Sequence, residues 1–465
     1  MSKHKHNKLF GTDGIRGTAN KYPMTPEVIA RVGQALGFLL IQNQSRSVIG
    51  ERKVVIGKDT RRSGYMTEMA LASGLNSMGV NVQLVGPLPT PGVGFLTRNM
   101  RADAGIVISA SHNSFQDNGI KIFGPDGFKL SSEFEAQIEK LVFDADLVEH
   151  LAKGEHVGRS KRIDDSAGRY IVYVKDTFPM SLTLDGLRIV LDCANGAAYK
   201  VGPQILEELG AEVIVVSNQP NGLNINDKCG ALYPDRVAQT VIQYRADVGI
   251  SLDGDADRVV IIDERGDVLN GDHILAICAA DMIERGALKK NTVVSTQMSN
   301  IGLELFLAEL GAKLEKTDVG DKYVVDCMRS NDYNLGGESS GHIIFLDSST
   351  TGDGLIAALR VLAVMKQKQS KLSQLKKKLK ELPQVLRNVC VTTRVPLEDL
   401  KEFQKKISEY KQDFGKKGRI FVRYSGTEPL IRILVEGERE PVIRNIAEDL
   451  ATILLREIAQ VEETV

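Results

Sequence analysis

A serine with polar neighbours follows a short apolar run near residue 110. Ile106, Val107 and Ile108 are β-branched residues that predict a buried strand. Ser111 follows in the polar stretch that ends that strand, with His112 beside it, at the strand end where open α/β sheets keep their ligands. A nucleophile and a proton carrier there favour covalent group transfer. A polar turn that only closes the strand is the alternative.

Three aspartates alternate along residues 251–258. Asp253, Asp255 and Asp257 fall on one side of an extended or gently turned chain, where three unpaired carboxylates repel one another and favour a divalent cation. A calcium loop of the EF-hand type is rejected because Arg258 stands where that loop needs glycine, although Glu264 occupies its twelfth position. Three carboxylates leave coordination positions open, as magnesium does in phosphoryl transfer. A solvated acidic turn without metal remains the alternative.

A glycine-rich loop over residues 336–342 lies between two apolar runs. Its glycines let the backbone approach a ligand, and Glu338 and Ser340 alternate so that both could bind vicinal hydroxyl groups. His342 could move a proton near neutral pH. A glycine-rich hairpin without a ligand is the alternative.

A second polar loop joins two apolar runs near the end of the chain. Arg423, Ser425 and Thr427 alternate, Gly426 can expose its backbone N–H, and Arg432 follows. A guanidinium, two hydroxyls and an amide suit a phosphate group. The loop lacks the Walker pattern, and a plain β-turn is the alternative.

Another glycine-rich stretch, residues 11–17, lies near the start of the chain. Arg16 within it could place a cation over an anionic group. A purely structural loop fits the same residues equally well.

Three segments repeat one order of elements around these residues: strand, polar turn, helix, glycine, strand. The strand pairs are predicted at residues 54–57 and 80–85, 189–192 and 212–216, and 292–295 and 313–316. Gly79, Gly210 and Gly311 stand where a left-handed residue ends each helix. Such βαβ units predict three related α/β domains with largely parallel sheets, although chance recurrence of a common unit is the alternative.

The remaining chain has a different pattern. A lysine-rich helix is predicted over residues 365–382, with leucines at 372, 375, 379 and 382 on one stripe and a solvated lysine face. Strands at 389–394, 419–423 and 430–436 and helices at 397–410 and 442–461 predict a smaller α+β domain. The four predicted domains, 1–162, 163–263, 264–382 and 383–465, would surround one central cleft.

Composition is that of a globular protein of 465 residues, with 42% hydrophobic and 26% charged residues. Because 59 basic residues balance 60 acidic ones, no excess charge favours nucleic acid or an anionic membrane. We expect neither a signal peptide nor a membrane span. Five scattered cysteines without a CxxC pair predict reduced thiols and the cytoplasm.

The motifs together suit phosphoryl transfer to and from a sugar phosphate, and at this point a family resemblance is clear. The chain resembles the α-D-phosphohexomutase superfamily through five motifs in order, at residues 11–17, 109–113, 253–258, 337–342 and 423–429. The first motif and Ser339 resemble the glucosamine branch more than the phosphomannomutase/phosphoglucomutase branch. Ser114 departs from the proline that is usual there.

The resemblance implies a phosphoserine enzyme that interconverts glucosamine 6-phosphate and glucosamine 1-phosphate through a 1,6-bisphosphate, for amino-sugar nucleotide and cell-wall precursor synthesis. Magnesium would be held by Ser111, Asp253, Asp255 and Asp257, and glucosamine or glucose 1,6-bisphosphate would activate the enzyme. It further implies catalytic roles for Ser111, His112, Lys121, Arg16, Arg258 and His342. The implied substrate-binding residues are Glu338, Ser340, Asp321, Lys322, Arg423, Ser425, Gly426, Thr427 and Arg432.

Three other functions compete with this interpretation. The nearest is a phosphomannomutase/phosphoglucomutase of the same superfamily. A phosphohydrolase working through phosphoserine would release inorganic phosphate, and a non-catalytic sugar-phosphate binding protein would not need Ser111. A small-molecule sugar phosphate is the expected partner, and the helical faces of the first domain leave a homodimer open.

Overall fold

The structure is a computed structural model that describes residues 8–11, 13–42, 51–391, 393–415, 417–425 and 430–464. Contacts divide the chain into two compact units. One comprises Met1–Thr296 and Glu315–Lys377, and the other comprises Gln297–Leu314 and Lys378–Val465. No helix in the described ranges is both long enough and apolar enough to cross a membrane.

The first sheet has seven strands in the order β1-β2-β6-β5-β3-β4-β7. Strands β3, β4, β5 and β7 pair in parallel, whereas β1, β2 and β6 form antiparallel pairs at one side. The strands are β1 (Phe10–Gly11), β2 (Gly14–Thr18), β3 (Lys53–Lys58), β4 (Asn81–Pro87), β5 (Ala104–Ile108), β6 (Asp117–Phe123) and β7 (Ser160–Arg162). The helices of this segment are α1 (Pro26–Gln42), α2 (Ser63–Ser77), α3 (Thr90–Asn99) and α4 (Ser132–Val142).

The second sheet has the order β12-β11-β10-β8-β9, parallel at β10-β8-β9 and antiparallel at β10-β11-β12. Its elements are α5 (Ser166–Asp176), β8 (Arg188–Asp192), α6 (Val201–Glu208), β9 (Glu212–Val216), α7 (Asp235–Tyr244), β10 (Val248–Leu252), β11 (Val259–Asp263) and β12 (Val268–Leu269). Because β12 pairs with β11, this sheet continues past residue 263, where the sequence placed a domain boundary. The four domain boundaries remain a prediction.

The third sheet has the order β14-β13-β15-β16, with β13 parallel and β16 antiparallel to β15. Its strands are β13 (Thr292–Thr296), β14 (Lys313–Thr317), β15 (Leu335–Gly337) and β16 (Ile343–Phe345). The helices are α8 (Gly271–Glu284), α9 (Ile301–Glu309), α10 (Asp321–Asn331), α11 (Gly354–Lys368) and α12 (Leu372–Lys376).

The last sheet is antiparallel, in the order β17-β19-β18. It comprises β17 (Gln384–Cys390), β18 (Gly418–Tyr424) and β19 (Leu430–Gly437), with helices α13 (Lys401–Phe414) and α14 (Glu440–Thr464). Its core includes Phe403, Ile431, Val435 and Leu450, which are almost completely buried. The fold class is therefore as predicted: α/β with mixed, largely parallel sheets and a smaller C-terminal α+β part.

The predicted helix ends at Gly79, Gly210 and Gly311 are confirmed, with φ angles of 85°, 101° and 73°. The single helix over residues 365–382 is wrong. Gln369 adopts a left-handed conformation after Lys368, which ends α11, and only the short α12 follows. Leucines 372, 375, 379 and 382 are nevertheless buried. The first strand of the C-terminal domain begins at Gln384, before its predicted start at 389.

Candidate active site

Ser111 follows strand β5 after Ser109 and Ala110 and is almost completely buried. Its φ of 50° is left-handed, which is uncommon for a residue with a side chain and marks backbone strain. The Ser111 hydroxyl donates a 2.6 Å hydrogen bond to Asp253 Oδ2. The predicted nucleophile therefore meets the predicted metal loop directly.

A buried arginine holds the serine loop in this conformation. Arg61 donates to the backbone oxygens of Ser111 and Asn113, each at 2.9 Å, and its Nε lies 2.8 Å from Asp59 Oδ2. The Ser109 hydroxyl donates to the same Asp59 oxygen at 2.7 Å and accepts from Ser111 N at 2.9 Å. Burial raises the pKa of Asp59, and the Arg61 charge opposes that rise. Arg61 and Asp59 thus form a buried pair that fixes the loop.

The three aspartates gather after strand β10, with one carboxylate oxygen from each within 4.8 Å of the others. Asp255 Oδ1 and Asp257 Oδ1 are buried and have no hydrogen-bond partner among the described residues. Burial and the charges of Asp257 and Asp255 raise the pKa of Asp253 well above its usual value. Buried, orphaned carboxylate oxygens at this spacing fit a small divalent cation such as magnesium.

Lys121 from strand β6 supplies positive charge beside this trio. Its Nζ lies 3.1 Å from Asp255 Oδ2, 3.2 Å from Asp257 Oδ2 and 3.3 Å from Asp13 Oδ2. Burial lowers the pKa of Lys121, but these three carboxylates outweigh it and hold that pKa well above its usual value. Burial raises the pKa of Asp257, but Lys121, His342 and Arg258 together outweigh it and hold that pKa well below its usual value. Lys121 therefore remains a cation here.

His112 and Arg258 lie next to the serine. His112 Nδ1 is 3.5 Å from the Ser111 hydroxyl and 3.0 Å from Arg258 Nη1. Burial and the Arg258 charge lower the pKa of His112 to about 4, so its imidazole is neutral at pH 7. The backbone N–H of Arg258 donates to Asp253 Oδ1 at 3.1 Å, which ties Arg258 to the metal loop.

The glycine-rich loop approaches the trio through His342. Its Nδ1 lies 3.8 Å from Asp257 Oδ2, and its Nε2 lies 3.5 Å from Asp321 Oδ2. Burial lowers the pKa of His342, but Asp257 and Asp321 outweigh it and the pKa is raised. Ser340 donates to Glu338 Oε2 at 3.3 Å, so these two side chains share one side of the loop.

Close backbone packing holds this loop against its neighbours. Gly341 has a φ of 93°, and a β-carbon there would lie 2.1 Å from Val259 O. A β-carbon on Gly271 would lie 2.0 Å from Glu338 O. These two glycines let strand β11 and helix α8 approach the loop that carries Glu338 and His342.

The residues predicted to set sugar orientation contact the first segment. Asp321 Oδ2 lies 2.5 Å from Lys129 Nζ. Lys322 Nζ lies 3.0 Å from Ser132 Oγ and 3.3 Å from Glu135 Oε2, so its ammonium is directed at helix α4.

The remaining predicted cation of this site, Arg16 on strand β2, forms an ion pair with Asp13. Its side chain is 28% exposed, which leaves part of the guanidinium accessible.

The predicted phosphate loop belongs to the other compact unit. Arg423 on β18 lies opposite Arg432 on β19 in the antiparallel register, so both side chains share a face of the sheet. Burial and the Arg432 charge lower the pKa of Arg423. Two adjacent guanidinium groups favour an anion between them. Ser425 is buried beside them, whereas Gly426 and Thr427 lie outside the described residues.

Several residues of this site were not predicted from the sequence. Asp13 stands within a glycine-rich motif that was singled out only for Arg16. Thr90 donates to Asp255 Oδ2 at 2.7 Å, and Asn226 donates to the backbone oxygen of Ser111 at 2.8 Å. Arg61, Asp59, Thr90, Asn226 and Lys129 carry no local signal, because what identifies them is a partner far away along the chain.

Fold and site together define a phosphotransfer enzyme, and family comparison agrees. The four models of phosphoglucomutase/phosphomannomutase match in order: alpha/beta/alpha domain I at residues 7–149, domain II at 168–266, domain III at 270–382 and the C-terminal domain at 368–453. The chain belongs to the phosphoglucomutase/phosphomannomutase family.

Comparison with individual proteins shows which members of the family this chain is similar to. The phosphoglucosamine mutase of Bdellovibrio bacteriovorus is 62% identical over 98% of this chain and 100% of its own length. A phosphoglucomutase/phosphomannomutase family protein from Burkholderia thailandensis has the same fold, with a TM-score of 0.80, 22% identity and 97% of each chain covered. Aspergillus fumigatus N-acetylphosphoglucosamine mutase, solved with GlcNAc-6P and magnesium, gives a TM-score of 0.65 at 19% identity and covers 97% of this chain and 96% of its own.

Proposed function

We propose that this chain interconverts glucosamine 6-phosphate and glucosamine 1-phosphate by phosphoryl transfer through Ser111. The observation that carries this proposal is the direct contact of the Ser111 hydroxyl with Asp253, one of three clustered carboxylates. High identity to a phosphoglucosamine mutase supports the choice of sugar. The reaction is an isomerisation in which the phosphate leaves one sugar oxygen and another sugar oxygen gains one.

Ser111 is the proposed carrier of the phosphoryl group. In the first step, the bond between phosphorus and the Ser111 oxygen breaks while phosphorus bonds to the free hydroxyl of glucosamine 6-phosphate, giving the 1,6-bisphosphate. In the second step, Ser111 takes the other phosphoryl group and releases glucosamine 1-phosphate. Two transfers leave the enzyme as it began, and a free bisphosphate of glucosamine or glucose would load Ser111 initially.

Charge neutralisation is the main task of the surrounding side chains, because the transferred phosphoryl group spreads negative charge over its oxygens. The cations Arg16, Lys121 and Arg258 are suited to this task. His112 and His342 are proposed to carry the hydroxyl proton, which must leave the attacking oxygen and reach the leaving one.

Magnesium is proposed to bind Asp253, Asp255, Asp257 and an oxygen on Ser111. When bound, it would act as a Lewis acid towards the phosphoryl oxygens. The buried Oδ1 atoms of Asp255 and Asp257, which have no hydrogen-bond partner in the described part of the chain, support this assignment. The magnesium complex of the fungal mutase with the same fold is consistent with it.

Sugar and distant phosphate are proposed to bind at separate loops. Glu338, Ser340, Asp321 and Lys322 would contact the sugar. The non-reacting phosphate would bind the loop that comprises Arg423, Ser425, Gly426, Thr427 and Arg432. The adjacency of Arg423 and Arg432 in the β18–β19 register supports an anion there.

The buried, unpaired thiols of Cys193 and Cys278 fit a reducing compartment such as the cytoplasm.

A comparison of three sugar phosphates as substrates tests the proposal. Purified enzyme, loaded with glucose 1,6-bisphosphate and magnesium, is given glucosamine 1-phosphate, glucose 1-phosphate and mannose 1-phosphate in separate assays. We expect the highest kcat/KM for glucosamine 1-phosphate and a phosphate-sized mass increment on Ser111. Faster turnover of mannose 1-phosphate would contradict the substrate assignment, and steady release of inorganic phosphate without isomer would contradict the reaction.

A further inference from the structure

Lys129 joins two carboxylates that come from distant parts of the chain. Its Nζ lies 2.5 Å from Asp13 Oδ1 and 2.5 Å from Asp321 Oδ2. The side chain is only 15% exposed, and its backbone forms a bridge with Phe123 at the end of β6. A largely buried ammonium shared by two acids is costly to desolvate unless both contacts are kept.

The Asp13 side of this bridge leads to the phosphotransfer centre. Asp13 Oδ2 lies 3.3 Å from Lys121 Nζ, and Asp13 also pairs with Arg16. Lys121 in turn contacts Asp255 and Asp257. Lys129 therefore shares the Asp13 carboxylate with Lys121 and Arg16, the cations near the three aspartates.

The Asp321 side leads to the proposed sugar site. Asp321 is the first residue of helix α10 and follows Gly320, whose φ is 140°. Its Oδ2 is also 3.5 Å from His342 Nε2, in the glycine-rich loop. Burial raises the pKa of Asp321, but Lys129 and His342 outweigh it, so the carboxylate stays ionised.

Removal of the ammonium would change the balance of charge between these two ends. Asp13 and Asp321 raise each other's electrostatic energy, and Lys129 separates them. Without Lys129, the nearest remaining basic group to Asp321 among the described residues would be the His342 ring, whose Nε2 lies 3.5 Å from Asp321 Oδ2 and already accepts a hydrogen bond from Gly352 N. The start of α10 would then lose its fixed position relative to Lys121.

We propose that Lys129 is a positioning residue for sugar binding, which holds the Asp321 carboxylate in the orientation that receives the sugar. This inference rests on the proposed function and names a residue that none of the five motifs contains. It predicts that Lys129 acts through Asp321, and that its loss weakens sugar binding more than the chemical step.

The experiment measures kcat and KM for glucosamine 1-phosphate in the full chain. We expect Lys129→Met to raise KM at least about tenfold while kcat stays within about threefold of wild type. Lys129→Arg keeps a cation that can reach both acids and should restore KM to within about threefold. Lys129→Gln provides a second neutral variant if Lys129→Met folds poorly.

Lys289 is a matched control because it also lies between two aspartates, 3.1 Å from Asp332 and 3.2 Å from Asp347. Lys289 and these two aspartates are exposed, and none of them belongs to the proposed site. Lys289→Met should therefore leave kcat and KM unchanged.

A double-mutant cycle with Asp321→Asn separates positioning from a general structural effect. If Lys129 acts through Asp321, the KM of the double variant is no higher than the higher of the two single-variant KM values. A KM equal to the product of both single effects would overturn the inference, as would an unchanged KM in both neutral variants. Absence of any turnover in wild type would instead overturn the proposed function, so the two failures are distinguishable.

Discussion

The Ser111 hydroxyl donates a 2.6 Å hydrogen bond to Asp253 across 142 residues of sequence. The contact joins the end of β5 in the first sheet to the loop after β10 in the second. Because both residues are buried, the bond brings the proposed phosphoryl carrier and the proposed metal site into one water-poor space.

Ser111→Ala is expected to lower kcat at least about 1,000-fold, because it removes the oxygen that would carry phosphorus. Isomer formation from glucosamine 1-phosphate measures the loss, and intact mass after incubation with glucose 1,6-bisphosphate should show no added phosphate. Ser114→Ala is the matched control, since Ser114 is an exposed serine in the same loop. A Ser111→Ala variant that still takes up phosphate would place the carrier elsewhere.

Asp255→Asn is expected to weaken magnesium binding at least about tenfold, because it removes one of the clustered charges. Isothermal titration of the variant with magnesium chloride gives the affinity, and chelator treatment of wild type should abolish turnover reversibly. Asp267→Asn is the control, since Asp267 is an exposed acid paired with Lys376 outside the trio. Equal magnesium affinity in both variants would contradict a metal site at the trio.

Arg61→Met is expected to lower the free energy of unfolding by about 3–5 kcal/mol, because it leaves the Asp59 carboxylate buried without its ion partner. Arg61 and Asp59 are both fully buried, and Arg61 also loses its bonds to the serine loop. Denaturant titration followed by circular dichroism measures the change.

The surface pair Arg169–Asp165 gives the control for that variant. The Arg169 and Asp165 side chains are 41% and 64% exposed, with Nη2 and Oδ2 2.8 Å apart, and Arg169→Met should lower the free energy of unfolding far less than Arg61→Met does. Comparable losses in the two arginine variants would mean that the buried pair has no special role.

The sequence predicts elements and motifs well where the information is local. The helix-ending glycines at 79, 210 and 311 each need only their own left-handed conformation, and all three predictions are confirmed. The alternation of Asp253, Asp255 and Asp257 likewise follows from a short stretch, and the structure brings their oxygens together.

The sequence did not predict contacts between distant residues, or helix ends that lack a glycine or proline. Helix α11 ends at Lys368 although the leucine stripe continues, because Gln369 turns left-handed without any glycine or proline to signal it. Arg61 and Lys129 resemble ordinary surface cations in sequence. Their importance comes from Asp59 and Ser111 in one case and from Asp13 and Asp321 in the other.

Asp353 caps the N-terminus of helix α11. Its Oδ1 accepts from Leu355 N and Ile356 N at 3.0 Å each, and its Oδ2 accepts from Tyr170 Oη at 2.8 Å. Burial raises the pKa of Asp353 from 3.8 to about 6, against the effect of these hydrogen bonds. The folded protein therefore binds this proton more tightly than the unfolded chain does.

This difference in proton affinity means that the stability contribution of Asp353 falls as pH rises. The contribution of Asp353 to stability is fully present below pH 3.8 and is lost as pH rises through about 6, by about 3 kcal/mol. Asp353→Asn keeps the cap geometry and cannot ionise, so its stability relative to wild type should be higher at pH 7.5 than at pH 4.5. Asp165→Asn is the control, because hydrogen bonding from Arg169 lowers the pKa of that exposed acid. Denaturant titrations at both pH values measure the stability difference between Asp353→Asn and wild type. If that difference is the same at pH 4.5 and pH 7.5, Asp353 does not titrate in this range.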